Sequence, residues 1–263
     1  MSEQNAAVDR RFARYPSLAG KVVFVTGGGS GIGASIVEHF CAQGSVVAFV
    51  DVDDAASTAL CGRIAGAGLR APHYHRCDLR DVAALQAIVR CVGEEAGPVT
   101  ALVNNAANDD RHRTEDVTVD YWNDRIAVNL RHQFFAAQAV HPQMKAAGGG
   151  SIVNFGSISW MLGMGGYNVY TTAKAAVHGM TRGLARDWGP DRIRANTVVP
   201  GWVMTERQVR LWLDPEGERR MLEGQCLKEK LYPPDLARMV LWLAADDSRM
   251  CTAQTFVVDA GWR

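Results

Sequence analysis

Short strand-like runs alternate with longer helical segments along this 263-residue chain, and the alternation limits the fold more than any other feature. Parallel strands joined by crossover helices form a doubly wound sheet, whose ligands lie beyond the carboxyl ends of the strands. We therefore predict a single α/β domain with a seven-stranded parallel sheet. The predicted strands span 21–26, 45–51, 73–77, 100–104, 151–155, 193–199 and 255–258, and the main crossover segments span 54–67, 81–96, 119–147, 169–188 and 234–245.

Composition narrows the class of protein and of partner. Hydrophobic residues make up 48% of the chain, enough for a large core in one domain over 18–263 that follows a polar arm over 1–17. Lys and Arg together number 28, as do Asp and Glu, so a nucleic-acid partner is not expected. No apolar stretch reaches the roughly 18–20 residues of a membrane span, and we expect a cytoplasmic protein without a membrane partner. The six cysteines have no zinc-ligand spacing, so no metal is expected.

One long segment, about 201–234, has neither a strand pattern nor a helix pattern and is rich in Arg and Glu. Loops of that length are usually functional or mobile. We predict that it is an irregular lid over the substrate.

The first predicted strand ends in a glycine turn, Gly27-x-x-x-Gly31-x-Gly33, and a helical pattern follows. Such glycines let the backbone approach a pyrophosphate at a helix N-terminus, where unpaired N–H groups and the helix dipole favour anions. A glycine turn alone is often only a tight turn, but the strand before it and the helix after it predict a dinucleotide-binding Rossmann fold. The predicted cofactor contacts in this turn are Gly27, Ser30, Gly31, Ile32 and Gly33.

Asp51 ends the second predicted strand, 24 residues after Gly27. A carboxylate there is placed to accept hydrogen bonds from the adenosine ribose hydroxyls and repels a 2′-phosphate, so NAD is predicted over NADP. The alternative is that Asp51 caps the next helix, although Asp53 fits that task better.

Tyr170 and Lys174 are four residues apart, so on a helix they lie on one face, and Ser157 follows the predicted strand 151–155. A phenol, with a pKa near ~10, is too weak a base at neutral pH. A nearby ammonium that lowers this pKa by roughly 2–3 units would let Tyr170 take a proton from an alcohol while hydride leaves the same carbon. A Tyr-x-x-x-Lys pair alone is common on solvated helix faces, so the interpretation depends on the other motifs.

Those motifs, in their order and spacing, resemble the short-chain dehydrogenase/reductase family from about Leu18 to the C-terminus. They are Thr26 to Gly33, Asp78-Leu79, Asn104-Asn105-Ala106-Ala107, Asn129, Ser157, Tyr170-x-x-x-Lys174 and Pro200-Gly201. Ala107 departs from the glycine usual at its position, and its methyl group could crowd the ribose or stiffen the turn.

The resemblance implies roles for the matching residues. Tyr170 would be the general base or acid, and Lys174 would lower its pKa and bind the nicotinamide ribose. Ser157 would orient the substrate oxygen, and Asn129 would hold a water that links Lys174 to solvent. The further cofactor contacts implied are Asp78 and Leu79 at the adenine, Asn105 at the adenosine ribose side, and Pro200, Val203 and Thr205 at the nicotinamide amide.

The segment from Asn108 to His112 lies where the family places the mouth of the substrate pocket. Its many donors and acceptors suit a ligand with several hydroxyls, because a steroid or acyl chain would leave them unpaired. The alternative is a solvated loop. Trp160 and Trp202 could present flat faces to a sugar ring, and Tyr167, which lacks a lysine four residues later, could be a pocket wall or simply surface. The predicted substrate contacts are Asn108, Asp109, Arg111, Ser157, Trp160, Tyr167 and Trp202.

That segment, together with 155–160 and the ending 259–263, resembles bacterial aldose 1-dehydrogenases of the family, which act on D-xylose, L-arabinose, D-galactose or L-fucose. The resemblance implies hydride transfer from C1 of a cyclic aldose to NAD, which leaves an aldonolactone and needs no metal. A polyol or secondary-alcohol dehydrogenase is the alternative enzyme. A non-enzymatic NAD sensor is a third alternative, which the intact Ser, Tyr, Lys and Asn set disfavours. The family also implies a homotetramer built on the segments 119–147 and 169–188, with a dimer left open.

Overall fold

A computed structural model describes residues 12–263 of the chain and contains one sheet of seven parallel strands. The strand order, β3-β2-β1-β4-β5-β6-β7, confirms the predicted doubly wound topology. Each bound lies within one or two residues of its prediction. The strands are β1 Val22–Thr26, β2 Val46–Asp51, β3 His73–Arg76, β4 Val99–Asn104, β5 Gly150–Phe155, β6 Ile193–Pro200 and β7 Thr255–Val258.

The helices cover both faces of this sheet. The described helices are α1 Gly31–Ala42, α2 Asp54–Gly66, α3 Val82–Ala96, α4 Val119–Ile126, α5 His132–Ala146, α6 Asn168–Trp188, α7 Glu206–Trp212, α8 Pro215–Gly224 and α9 Pro233–Ala244. A π-helical turn, Ala127–Arg131, joins α4 to α5. None of the helices formed by residues 12–263 is long and apolar enough to cross a membrane.

Successive strand residues enter two different cores because their side chains point to opposite faces of the sheet. Val23, Val25 and Phe49 pack in one core with α1 and α9. Phe24 and Val50 pack in the other core with α3, α5 and α6. All five residues of β1 are buried, as expected for a parallel strand covered on both faces.

The prediction of an irregular structure over 201–234 is wrong, because α7 and α8 lie within that segment. Thr205 Oγ1 accepts from the backbone N–H of Gln208 at 3.2 Å and caps α7. Asp214 Oδ1 accepts from the N–H of Gly217 at 2.6 Å and caps α8, with Pro215 at the first helical position. Both short helices therefore begin on capping residues that the sequence contains.

The polar arm predicted over 1–17 lies mostly in residues 1–11, outside the described residues. Its last part is tied to the domain, since Tyr15 donates its backbone N–H to Gln43 Oε1 at 2.9 Å. Leu18, the first residue of the predicted domain, is fully buried in the core.

Candidate active site

A cleft of about 1130 Å³ opens at the carboxyl edge of the sheet and contains most of the predicted site. Four of the predicted residues do not line it: Gly31, Asn129, Lys174 and Trp160. The predicted residues that do are Gly27, Ser30, Ile32, Gly33, Asp51, Asp78, Leu79, Asn105, Asn108, Asp109, Arg111, Ser157, Tyr167, Tyr170, Pro200, Trp202, Val203 and Thr205.

The glycine turn leaves the end of β1 and runs straight into α1. Gly27 has φ +68°, which favours glycine, and a Cβ on Gly33 would lie 1.8 Å from the Gly27 carbonyl oxygen. Ser30 occupies the N-cap of α1, but its side chain makes no capping hydrogen bond. The Ser30 hydroxyl therefore does not pair with the first backbone N–H groups of the helix. This cradle of small residues and free donors fits the pyrophosphate of a dinucleotide.

Asn105 holds the backbone where β1 passes into the glycine turn. Its Nδ2 donates to the carbonyl oxygens of Thr26 at 3.2 Å and Gly27 at 2.9 Å. Its backbone N–H donates to Thr26 Oγ1 at 3.1 Å. The side chain therefore fixes the shape of the turn, and its predicted contact with the adenosine ribose side stays a prediction.

The carboxylate of Asp51 is fixed at the end of β2. Its Oδ2 accepts from Gly29 N–H at 2.8 Å, and its Oδ1 accepts from the N–H groups of Val52 and Asp53. Asp53, rather than Asp51, caps α2 by accepting from Ala56 N–H at 3.0 Å, so the alternative role for Asp51 is wrong. Asp51 lines the cleft, and its predicted contact with the adenosine ribose stays a prediction.

Asp78 and Leu79 follow β3 at the far end of the cleft. The Asp78 carboxylate accepts from Arg80 Nε at 2.9 Å, and this pairing lowers the pKa of Asp78. Arg80 Nη1 also donates to Asp124 Oδ1 at 2.8 Å. The charge of Arg80, which also lines the cleft, is thus already balanced by two carboxylates.

Ser157 and Tyr170 meet at the base of the cleft, as predicted. Ser157 is buried just beyond β5, and its Oγ accepts from the N–H of Ser159 at 3.2 Å, which leaves its own proton free to be donated. Burial raises the pKa of Tyr170, and its interaction with Ser157 opposes that rise. The first helical turns of α6 place the phenol against the serine that follows β5.

The pKa of Tyr170 in the structure differs from the prediction that Lys174 lowers it. Burial is the largest influence on Tyr170 and raises its pKa above the ordinary value, and burial also lowers the pKa of Lys174 to about 7. Lys174 Nζ lies 5.7 Å from the centre of the Tyr170 ring and donates to the Phe155 carbonyl oxygen at 2.8 Å. Tyr170 and Lys174 both lie on α6, as predicted, but the Lys174 amine is itself desolvated and donates to the carbonyl group at the end of β5.

Asn129 lies in the π-helical turn and is completely buried. Its Oδ1 accepts from Asn108 N–H at 2.8 Å, and its Nδ2 donates to the carbonyl oxygens of Asn108 and Arg125, both at 3.0 Å. Asn129 therefore holds the loop after β4 in place. Its role in holding a water near Lys174 stays a prediction.

The loop after β6 closes the side of the cleft where contacts with the nicotinamide amide were predicted. Pro200 ends β6, and Val203 pairs with Leu231 in an isolated bridge. A Cβ on Gly31 would lie 3.2 Å from Thr205 Cγ2, so this loop reaches the glycine turn. The predicted contacts at the two ends of a dinucleotide thus belong to one continuous surface.

Charged and aromatic side chains line the other side of the cleft, where substrate contacts were predicted. Arg111 Cζ lies 3.7 Å from the centre of the Tyr167 ring, and Trp202 Nε1 donates to Gln208 Oε1 at 3.0 Å. The structure does not bring Trp160 to the cleft. Its ring packs instead edge-on against His178, with the centroids 5.0 Å apart.

Three residues of α7 that line the cleft were missed by the sequence reasoning: Arg207, Gln208 and Trp212. Gln208 Nε2 donates to Asp109 Oδ2 at 2.8 Å, and Arg207 Nη2 pairs with Asp110 Oδ1 at 2.6 Å. The Thr205-x-x-Gln208 spacing is a capping signal that could have placed a helix here. No sequence signal indicated which side of that helix faces the cleft.

Known proteins resemble this chain over nearly its whole length. The family model described as Enoyl-(Acyl carrier protein) reductase matches residues 27–263. D-xylose 1-dehydrogenase of Caulobacter vibrioides is 52% identical over 251 residues, which cover 95% of this chain and 99% of that protein. A Rhizobium meliloti protein named "Probable galactose dehydrogenase GalD" is 49% identical over 249 residues, covering 95% and 97% of the two chains.

A solved structure extends the comparison to the fold. The blue fluorescent protein from a metagenomic library, in complex with NADPH, superposes with a TM-score of 0.85 at 36% identity and covers 94% of this chain and 99% of its own. The glycine turn, the Ser157–Tyr170 pair and the buried Lys174 stand at the carboxyl edge of the matching sheet. Sequence, fold and site geometry agree that the chain belongs to the short-chain dehydrogenase/reductase family and is an oxidoreductase dependent on a nicotinamide cofactor.

Proposed function

We propose that the protein is an NAD-dependent aldose 1-dehydrogenase, which oxidises C1 of a cyclic aldose to an aldonolactone. The observation that carries the proposal is the polar wall opposite Tyr170, where Asp109, Arg111 and Gln208 line the same cleft as the phenol. Gln208 and Asp109 hydrogen-bond each other, but a carboxylate can accept several hydrogen bonds and a guanidinium can donate five. Sugar hydroxyls can add to these contacts, whereas an apolar substrate would bury that remaining capacity unused. Two relatives named as sugar dehydrogenases, each about half identical in sequence, support this assignment.

The chain's own residues handle the proton of the anomeric hydroxyl. Ser157 donates a hydrogen bond to the substrate oxygen, and Tyr170 takes the hydroxyl proton as the C1–H bond breaks, so that C1 becomes the lactone carbonyl carbon. Since burial raises the pKa of Tyr170, a base role requires positive charge beside the phenol. The nicotinamide cofactor, when bound, supplies the hydride acceptor and that positive charge.

The preference for NAD rests on Asp51. Its carboxylate is held by three backbone N–H groups, so it cannot swing away from a 2′-phosphate. Arg80, which lines the same cleft, is paired with Asp78 and Asp124. Because its charge is already balanced there, it offers little attraction to such a phosphate.

A panel of aldoses and polyols with NAD tests the reaction, with reduced-cofactor absorbance as the signal and product analysis as the assignment. We expect turnover of D-xylose or D-galactose and a lactone that opens to an acid. Turnover of polyols alone, with a ketose as product, would establish the alternative chain-carbon dehydrogenase. No turnover on either class would favour the non-enzymatic sensor.

Tyr170→Phe tests the proton transfer. We expect kcat to fall by about 100-fold to 10,000-fold while NAD affinity stays within a few-fold, because the ring remains and only the proton acceptor is lost. Tyr167→Phe is the matched control. Its hydroxyl contacts Met164 Sδ at 3.3 Å and its ring stacks on Tyr170, so the ring is kept and turnover should persist. A Tyr170→Phe enzyme that retains most of its activity would remove the mechanism.

We also propose that the segment 201–234, whose residues Arg207, Gln208 and Trp212 line the cleft, acts as a lid over the substrate.

We propose in addition that the protein is a homotetramer. Phe134 on α5 is exposed although it is large and apolar, and Trp122 and Val119 on α4 are exposed as well. Exposed apolar side chains of this kind favour association of subunits, which we propose to occur through the segments 119–147 and 169–188. Light scattering of the protein and of Phe134→Glu measures the mass, and a monomeric wild type contradicts the proposal.

A further inference from the structure

Four planar groups are stacked from the base of the cleft to α7. The rings of Tyr170 and Tyr167 are 5.5 Å apart at 17°, and the Arg111 guanidinium carbon lies 3.7 Å from the Tyr167 centroid. The same carbon lies 4.9 Å from the ring of Trp212, the last residue of α7. Arg111 is therefore held between an aromatic ring of α6 and one of α7.

The same helix also holds the carboxylate of Asp109. Gln208 Nε2 donates to Asp109 Oδ2 at 2.8 Å, and Arg207 Nε lies 3.6 Å from Asp109 Oδ1. The Gln208 amide is itself oriented, since its Oε1 accepts from Trp202 Nε1. The Asp109 side chain is 17% exposed, so solvent screens it only in part.

Asp109 and Arg111 act on Tyr170 in opposite directions. The charge of Asp109 raises the pKa of Tyr170, and that of Arg111 lowers it. The other groups that face the phenol are Ser157, which lowers its pKa, and Tyr167, which raises it, while Lys174 is bound to Phe155. The contacts of α7 thus reach both of the fully charged groups that act on the phenol.

We propose that Gln208 and Trp212 are positioning residues for Tyr170: Trp212 holds the Arg111 guanidinium on the stack, and Gln208 holds the Asp109 carboxylate by a hydrogen bond. Both contacts favour the phenolate, because one keeps a cation in place and the other draws negative charge toward α7. The inference rests on the proposed role of Tyr170 as the general base.

The test compares Gln208→Leu and Trp212→Leu with two matched variants. Trp212→Phe removes the indole N–H, which has no hydrogen-bond partner among the described residues, but keeps an aromatic face for Arg111. Leu211→Ala shortens an exposed neighbour on the same helix and leaves the stack intact. Two readouts are used: the pH profile of kcat with saturating NAD and D-xylose, and the tyrosinate absorbance of each protein minus that of its Tyr170→Phe form.

We expect both leucine variants to shift the acid-limb pKa and the Tyr170 titration upward by about half a unit to one unit, which is at or below the lower end of the roughly 1–3 units that a nearby charge produces. Trp212→Phe should stay close to the wild type, and Leu211→Ala should not move. Asp109→Asn should shift both readouts downward. This reversed sign would not arise from a merely structural role of α7.

An unmoved pH profile and titration in both leucine variants, with KM alone raised, would overturn the inference and leave α7 as a binding wall. That result is distinct from failure of the proposed function, which would appear as sustained turnover in Tyr170→Phe. If Trp212→Leu fails to fold by circular dichroism, Gln208→Leu and Asp109→Asn still decide, because they predict opposite shifts.

Discussion

Gly33 and Trp212 line opposite sides of one cleft and are held there by different forces. Around Gly33 the contacts join backbone to backbone or to one fixed amide, and no side chain larger than hydrogen fits. Around Trp212 the contacts join one charged or aromatic side chain to another, and Arg111 and Arg207 are exposed. We propose that the first side binds the cofactor and the second binds the substrate. We call the first the cofactor wall, formed by the glycine turn, Asp51 and Asn105, and the second the substrate wall, formed by Asp109, Arg111, Tyr167 and the cleft-facing residues of α7.

The difference indicates which part of the cleft can change during evolution. The cofactor wall is continuous with β1, β2 and α1, so an added methyl group there must displace backbone that also belongs to the core. The substrate wall stands on loops and a short helix, where side-chain pairs can be exchanged without moving the sheet. Chemistry and cofactor are thus tied to the fold, whereas the choice of substrate is placed on separable contacts.

The largest effect should come from Gly33→Ala on the cofactor wall. The new Cβ would meet the Gly27 carbonyl oxygen and Asn105 Nδ2, so the turn must open and the bond between them must break. We expect NAD affinity to fall by roughly 100-fold or more and stability to fall by about 1–3 kcal/mol. Calorimetric NAD titration and urea unfolding measure the two losses.

Gly62→Ala is the control for that substitution. Gly62 lies inside α2, and a Cβ there meets no atom within 4 Å. Alanine should therefore stabilise the helix by roughly 0.5–1 kcal/mol without a change in NAD affinity. Equal NAD binding by Gly33→Ala and the wild type would contradict a cofactor wall built from backbone contact.

Asp51→Asn should have the next largest effect, and it changes charge without changing shape. We expect the ratio of kcat/KM for NAD over that for NADP to fall about tenfold or more, because repulsion of a 2′-phosphate is removed. Asp53→Asn is the control, since asparagine also caps a helix and the same charge is lost two residues away. A wild-type enzyme that prefers NADP would refute the cofactor assignment.

More of the cofactor wall than of the substrate wall could be predicted from the sequence, for physical reasons. Burial of both sheet faces gives continuous apolar strands, and the glycine turn needs small residues at fixed spacing, so both are visible along the chain. The two helices within 201–234 are short, and their only signals were caps such as Thr205 and Asp214.

The placement of the tryptophan rings and the pKa of Tyr170 could not be predicted from the spacing of residues in the sequence. Trp160 lies near Ser157 in sequence, but the turn after β5 directs its ring to His178, while the more distant Trp212 reaches the cleft from α7. The pKa of Tyr170 depends on burial and on Asp109, which a helical Tyr–Lys spacing does not report. Long-range packing and desolvation decide both, and neither is a local property.

Lys174 is buried outside the lining of the cleft, at the end of β5, and allows a test by pH. Its pKa is lowered to about 7 in the folded protein by burial, whereas an unfolded lysine has a pKa near ~10.4. Between these values the unfolded chain binds more protons, so the free energy of unfolding contributed by this group rises with pH; below about 7 it is constant.

The comparison of the wild type with Lys174→Met reveals that slope. Urea unfolding of both proteins from about pH 6 to about pH 10 should show the wild type gaining stability relative to the variant as pH rises. Lys145→Met, at an exposed lysine of α5, controls for loss of a surface charge. A difference that falls as pH rises would mean that Lys174 is stabilised as a cation in the folded state, and that its bond to Phe155 outweighs burial.

The smallest effect should come from Trp160→Ala, paired with Trp202→Ala. Trp202 lines the cleft and contacts Gln208, so its loss should raise the KM for an aldose about tenfold. Trp160 is 37% exposed and packs against His178 away from the cleft, so its loss should leave KM within about twofold. Steady-state kinetics with the active sugar measures both. A larger rise for Trp160→Ala than for Trp202→Ala would mean that the substrate reaches beyond Ser157 toward α6, and that the substrate wall extends past α7.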